Sequence, residues 1–395
     1  MKAMSKNVLI MIFIASIVQV KAQPKYFEGK LNEAMQEAQK AEKHIFIDCY
    51  TDWCGWCKVA DEKTFANKEV AEFLSDNFIV VKMDMERGEG VYLGAKYRVF
   101  GYPSYLMFTS DGSFAGKFSG FMENNADFIA AAKRGLDASQ RPDYPSKMTD
   151  QIAFPEFYLK SFTNLETGEK RKNPDVDAVN TWFAKFPDMN SEVAWSIMSK
   201  FDIGEKRENR FLENISDYMA KFGKEDVSAK VASIGYAKLQ TAINSGNEDD
   251  MKPVLDLVDK YMTENTEENK AYYNIQFYES VGKWNNYIKY AQTMIDLVGF
   301  EEHLGGINEY SWTIYEKSDD MEAMKVACEW MGKVVKMDPN YAYLDTYAAV
   351  LYKSGRAEEA LKVADRAIEV GKKTDENVKE TEVLREKILK AEKGN

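Results

Sequence analysis

Ile45-Phe46-Ile47-Asp48-Cys49-Tyr50-Thr51-Asp52-Trp53-Cys54-Gly55-Trp56-Cys57-Lys58 is the stretch that decides the fold. Its first six residues are largely apolar and read as a buried β-strand. The segment from Val59 to Phe65 is charged and compatible with a helix. A Cys-x-x-Cys pair at a strand-to-helix junction sets its first sulfur where unpaired helix amides and the helix dipole favour a thiolate. On a loose loop the same four residues would more often be half of a metal site. Here the context points to thiol–disulfide exchange.

Working outward, residues 28–42 are rich in Ala, Glu, Gln and Lys and predict a surface helix. Asn67 is an N-cap signal for a short amphipathic helix through Leu74. Phe78-Ile79-Val80-Val81-Lys82-Met83-Asp84 is a second buried strand, and Gly90 to Tyr97 a helix ending near Gly101-Tyr102-Pro103. Ser104 to Thr109, the Asp111-Gly112 turn and Phe114 to Phe118 predict a hairpin, and Asn124 to Leu136 a closing helix. Strands separated by helices, then a hairpin, make an α/β domain over residues 25–137.

The N-terminus has Lys2 and Lys6, an apolar run from Val8 to Val18, and Val20-Lys21-Ala22. That is the layout of a cleavable signal peptide over residues 1–22, which predicts a periplasmic or secreted protein. The run is short for a membrane span of about 20 residues. The chain carries 64 acidic against 52 basic residues, a net −12, which argues against nucleic acid as a partner. Four cysteines in 395 residues are too few for a disulfide-stapled scaffold. With only His44 and His303, a zinc site would have to recruit Cys49 or Cys328 to the pair, so no metal is expected. Cys49 and Cys328 read as small buried hydrophobes.

Arg141-Pro142-Asp143-Tyr144-Pro145 predicts a linker over residues 138–149. Residues 150–395 read as an all-helical domain. Its end resembles a tetratricopeptide repeat, most clearly over residues 307–373. Leu344 to Lys353 is one helix, Ser354-Gly355 a turn, and a second helix comes next with Ala360, Ala364 and Ala367 at packing positions. Ala327 lies 33 residues before Ala360, near the repeat's period of about 34 residues. Such arrays serve most often as binding or assembly surfaces.

Residues 25–137 resemble a thioredoxin-fold domain, similar to exported thioredoxins and to the C-terminal domain of the DsbD-type disulfide reductase. The resemblance rests on Asp48-x5-Cys54-Gly55-Trp56-Cys57-Lys58, on Val81-Lys82-Met83-Asp84, on Gly101-Tyr102-Pro103-Ser104 and on Gly120. It implies a redox-active Cys54–Cys57 disulfide, with Cys54 the nucleophile, open to incoming polypeptide, and Cys57 the resolving thiol. Asp48 is then the buried acid that moves the Cys57 proton, and Lys82 its nearby cation. Burial should raise the Asp48 pKa and Lys82 should oppose the shift. Pro103 takes the place of the family's cis proline, and Tyr102, Pro103, Trp53 and Trp56 form the substrate-binding surface. Gly-Trp between the cysteines departs from the better-known family pairs, so the direction of electron flow is not legible.

The expected function is an exported thiol–disulfide oxidoreductase, more a reductase or isomerase of protein disulfides, with no cofactor beyond its dithiol. Its expected partners are protein thiols and disulfides, a membrane thiol electron donor, and a protein recruited by the helical domain. The rival reading is a scaffold whose thioredoxin fold binds peptide without redox turnover. The joint presence of Cys54, Cys57, Asp48, Lys82 and Pro103 weighs against it.

Overall fold

The computed structural model describes residues 23–393. The expected signal peptide, residues 1–22, lies outside the described residues. Helix α1 is Leu31–Ala41. It is shorter than the expected 28–42 because Glu33 accepts a hydrogen bond from the Lys30 N–H at 3.0 Å and Glu42 turns left-handed at φ 54°. Strand β1 (His44–Tyr50) leads into α2 (Gly55–Ala60), which widens into a π-type turn over Asp61–Phe65. Helix α3 (Lys68–Asn77) starts at Asn67, whose side-chain oxygen accepts from the N–H groups of Glu69 and Val70. Then come β2 (Phe78–Asp84), α4 (Gly88–Lys96), β3 (Ser104–Phe108), β4 (Phe114–Ser119) and α5 (Asn125–Arg134).

The four strands form one mixed sheet in the order β2-β1-β3-β4. β1 is parallel to β2 and antiparallel to β3, and β3 is antiparallel to β4. A parallel pair needs a crossover; α2 and α3 supply it. Alternation along β1 divides the core in two. Ile45, Ile47 and Cys49 pack with α1 and α4 on one face. Phe46 packs on the other with Phe65, Leu74, Tyr105, Phe118 and Phe128. Asp48 shares the Phe46 side of the strand, so its carboxyl lies on the α2 side of the sheet.

The compact unit that holds the sheet runs on to Ala229. The stretch 138–149 expected as a linker is packed into it: Met148 is buried with α1 and α4, and Tyr144 packs alongside. A buried ionic cluster ties the later helices to the sheet. The Arg98 guanidinium donates to Asp226 at 2.8 and 2.6 Å and to the Tyr144 hydroxyl at 2.7 Å. Lys117 of β4 lies 2.5 Å from the same Asp226 carboxylate. Burial alone would raise the Asp226 carboxyl, but Lys117 and Arg98 outweigh it and hold it below its ordinary value.

The second compact unit, from Lys230 onward, is helical. Helices Tyr341–Lys353 and Ala357–Lys373 meet at a turn in which Gly355 takes φ 82°. Ala360, Ala364 and Ala367 are fully buried, which lets helices approach closely. Cys328 and Trp330 sit in this unit's core. Among the described residues no helix is long and apolar enough to cross a membrane.

Candidate active site

Cys54 is the N-cap of α2, and its Sγ accepts a hydrogen bond from the Cys57 N–H at 3.0 Å. The two cysteines are joined in a disulfide. The start of a helix presents N–H groups with no partner in the helix, so a sulfur there receives a donor and the positive end of the dipole. The sequence had Cys54 open to incoming chains. Instead Cys54 and Cys57 are only 4% and 5% exposed, and Trp53 and Trp56, at 66% and 63%, make the accessible surface around them.

Each indole is held. Trp53 Nε1 donates to Glu86 Oε2 at 2.9 Å, and its ring meets Tyr102 edge-on at 5.9 Å. Trp56 stacks on Phe121 at 5.6 Å. The Tyr102-Pro103 peptide is cis. The Gly120 N–H donates to the Pro103 carbonyl oxygen at 2.9 Å, which brings the Gly-Tyr-Pro-Ser turn and the glycine beyond the hairpin together.

Asp48 lies in register with Lys82 on one side and Tyr105 on the other. The residue is 2% exposed. Its pKa is raised to about 7: burial pushes it up most, Lys82, with Nζ 3.7 Å away, opposes the rise, and the charge of Asp61 adds to it. Lys82 is shared. Its direct hydrogen bond goes to Asp61 Oδ1, and the rings of Tyr50 and Tyr26 flank the ammonium at 5.2 and 5.8 Å. The phenol of Tyr26 is raised by burial first, then by Asp48 and Asp61.

Three residues of this neighbourhood were not singled out from sequence. Asp61 sits in an ordinary-looking Asp-Glu-Lys run, and only the π-type turn, a feature often found at functional sites, sets it against Lys82. Tyr26 and Glu86 carry no motif. The bystanders are placed as expected: Cys49 is buried on the opposite face of β1 with its thiol pushed well up by burial, and Cys328 is buried and raised in the same way. His44 lies 2.7 Å from an Arg141 nitrogen, and His303 lies 3.1 Å from the Tyr310 hydroxyl.

Residues 27–110 match the family model described as thioredoxin-like. This region is a thioredoxin-like domain. Over 86 residues the thioredoxin-like region is 31% identical to the thiol:disulfide interchange protein DsbD of Pseudomonas fluorescens, a match covering 22% of this chain and 15% of that protein. It is 39% identical over 54 residues to human spermatogenesis-associated protein 20, covering 14% of this chain and 7% of the relative. The chain thus spans a small part of these relatives' length. Among solved structures it is similar to a candidate disulphide-isomerase from Bacteroides thetaiotaomicron, with 33% identity, a TM-score of 0.28, and coverage of 30% of this chain and 96% of the other. Within this domain the Cys54–Cys57 disulfide stands at a helix start, and the buried Asp48, its carboxyl pushed up by burial, lies on the α2 side of the sheet.

Proposed function

We propose that this chain is an exported thiol–disulfide oxidoreductase that reduces or isomerises disulfides in protein clients. The observation that carries the reading is the Cys54–Cys57 disulfide at the first turn of α2, beside a cis Tyr102-Pro103 turn. In the reduced form the Cys54 thiolate attacks a client disulfide; one client sulfur leaves as thiolate and takes a proton, and a mixed disulfide forms. Cys57 then gives its proton to the Asp48 carboxylate and attacks Cys54. The client departs as a dithiol carrying two electrons and two protons, and the chain is left with its disulfide. A thiol donor returns it to the dithiol, for which a membrane thiol carrier is the natural class outside the cytosol. The same attack on a non-native client bond, with release through a client thiol, is isomerisation.

Trp53, Trp56, Tyr102 and Pro103 form the client-facing surface, with Asp48 and Lys82 behind the sulfurs as the proton-handling pair. The helical residues beyond 150, with their repeat-like end, recruit clients or partners. Insulin-disulfide reduction by the mature chain tests the reading: activity is expected in the wild type and lost in Cys54→Ser. A wild type inert towards every protein disulfide overturns it. The Cys57→Ser variant should trap clients as mixed disulfides that reductant releases; partners held only non-covalently would favour a scaffold.

A further inference from the structure

A cavity of about 180 Å³ opens beside the site, lined by Trp53, Glu86, Tyr102, Phe162, Arg171 and Lys200, among others. Trp53 precedes the reacting sulfur, and Tyr102 precedes the cis proline. The outer wall comes from the segment beyond residue 150, which the thioredoxin-like match does not include. That wall is fastened near the end of β2, where the Leu165 N–H donates to the Glu86 carbonyl oxygen at 2.9 Å, and it is closed on itself by the Lys172 N–H donating to the Lys160 carbonyl oxygen at 2.7 Å.

The cavity's charges are unbalanced. Lys200 Nζ lies 4.3 Å from the Phe162 ring centre and 4.6 Å from that of Phe100. Burial first, and the like charge of Arg171 second, lower its pKa to about 8. Among the described residues neither Arg171 nor Lys200 has an ion-pair partner. The only lining carboxylate, Glu86, is itself nearly buried and accepts from the Trp53 indole. In a chain with 64 acidic and 52 basic residues, two neighbouring unpaired cations are an arrangement that an incoming anion would relieve. The volume is below the roughly 300–1,000 Å³ usual for small-molecule sites, and suits a side chain.

We propose that this cavity is a specificity pocket for an acidic side chain of the client, within a few residues of the cysteine that Cys54 attacks. The inference rests on the oxidoreductase reading, and it names the client feature that the reading leaves open. Aspartate or glutamate would place its carboxylate between Arg171 and Lys200, its methylenes against Phe162 and Tyr102, and its backbone along the Tyr102-Pro103 turn. The client chain then reaches the sulfur past Trp53.

Three synthetic peptides, each with one internal disulfide and differing only in Glu, Gln or Lys beside the reactive cysteine, test this with the full mature protein and dithiothreitol as the recycling thiol. At low salt the wild type should favour the Glu peptide over the Lys peptide by about tenfold in kcat/KM, mostly through KM, and the ratio should shrink as salt screens the pocket. Arg171→Glu and Lys200→Glu should each bring that ratio to one or below. The ratio is taken within one preparation, so a partly misfolded variant does not mimic the result. A wild-type ratio near one, with the peptides turned over, overturns the pocket and leaves the oxidoreductase reading standing. So does a preference that survives both substitutions. Inertness of the wild type towards all three peptides and insulin removes the oxidoreductase reading, and the pocket with it.

Discussion

Asp48 carries a carboxyl that the fold pushes far from its ordinary value, and its pKa of about 7 has a definite sign for stability. The folded carboxyl holds its proton to higher pH than the unfolded one, whose value is 3.8. Stability is therefore full below pH 4 as far as this group is concerned, and is lost as pH rises through 7. The loss at higher pH is about 4 kcal/mol at 1.36 kcal/mol per unit. Asp48→Asn should thus be more stable than wild type in urea unfolding at pH 8, with the difference vanishing near pH 4. The same variant should turn over insulin more slowly, by a factor of order 10², if Asp48 accepts the Cys57 proton. Lys82→Met removes the attraction that opposes burial, so the pH at which activity rises should move upward; an unshifted profile would mean that Asp48 does not set it. Asp48 and Lys82 were legible in the sequence because a charge inside an apolar strand is an anomaly. Asp61, the nearer partner of Lys82, was not, since nothing in a surface-like charged run announces a π-type turn.

At the scale of elements, two contacts fix how helices sit on the sheet. Gly90 lies in the first turn of α4, where an added Cβ would collide with the Asp84 carbonyl oxygen at the end of β2. Backbone there cannot yield, so Gly90→Ala should lose about 2 kcal/mol or more in urea unfolding. The second contact is Asp226, which neutralises both Arg98 and Lys117 in the interior. Asp226→Ala strands two buried cations and should cost about 3–5 kcal/mol; a loss within 1 kcal/mol would show water reaching the cluster. The strands were readable because short continuous apolar runs bounded by turn residues are local signals. The three alanines of the C-terminal hairpin were readable for the same reason, as small residues recurring at helical spacing.

For the whole molecule, the division at Ala229 and Lys230 falls inside the helix Lys224–Ser245 and sets where the chain can be cut. A fragment of residues 23–245 should unfold cooperatively and reduce insulin. One ending at residue 149 lacks Asp226 and the outer wall of the cavity, and should melt at lower temperature than the longer fragment; equal stability would make the sheet domain energetically independent of the helices beyond residue 150. The sequence by itself determined the thioredoxin-like architecture, the position of the sulfur pair at a helix start, and the largely helical character of the chain from Val176 onward; between residues 150 and 175, where a helical region was expected, only Glu156–Leu159 is helical and Asn164 and Glu169 form a β-bridge. Those are carried by periodicity, capping and short motifs, each contained within a few turns of chain. Tertiary structure alone decided that the chain from 138 to 229 belongs to the unit that holds the sheet, that the sulfurs are nearly buried, and that Arg171 and Lys200 line one cavity with Trp53. Arg98 and Asp226 stand 128 residues apart in sequence, and a pairing over such a distance leaves no local pattern, because only the folded path brings the two charges together.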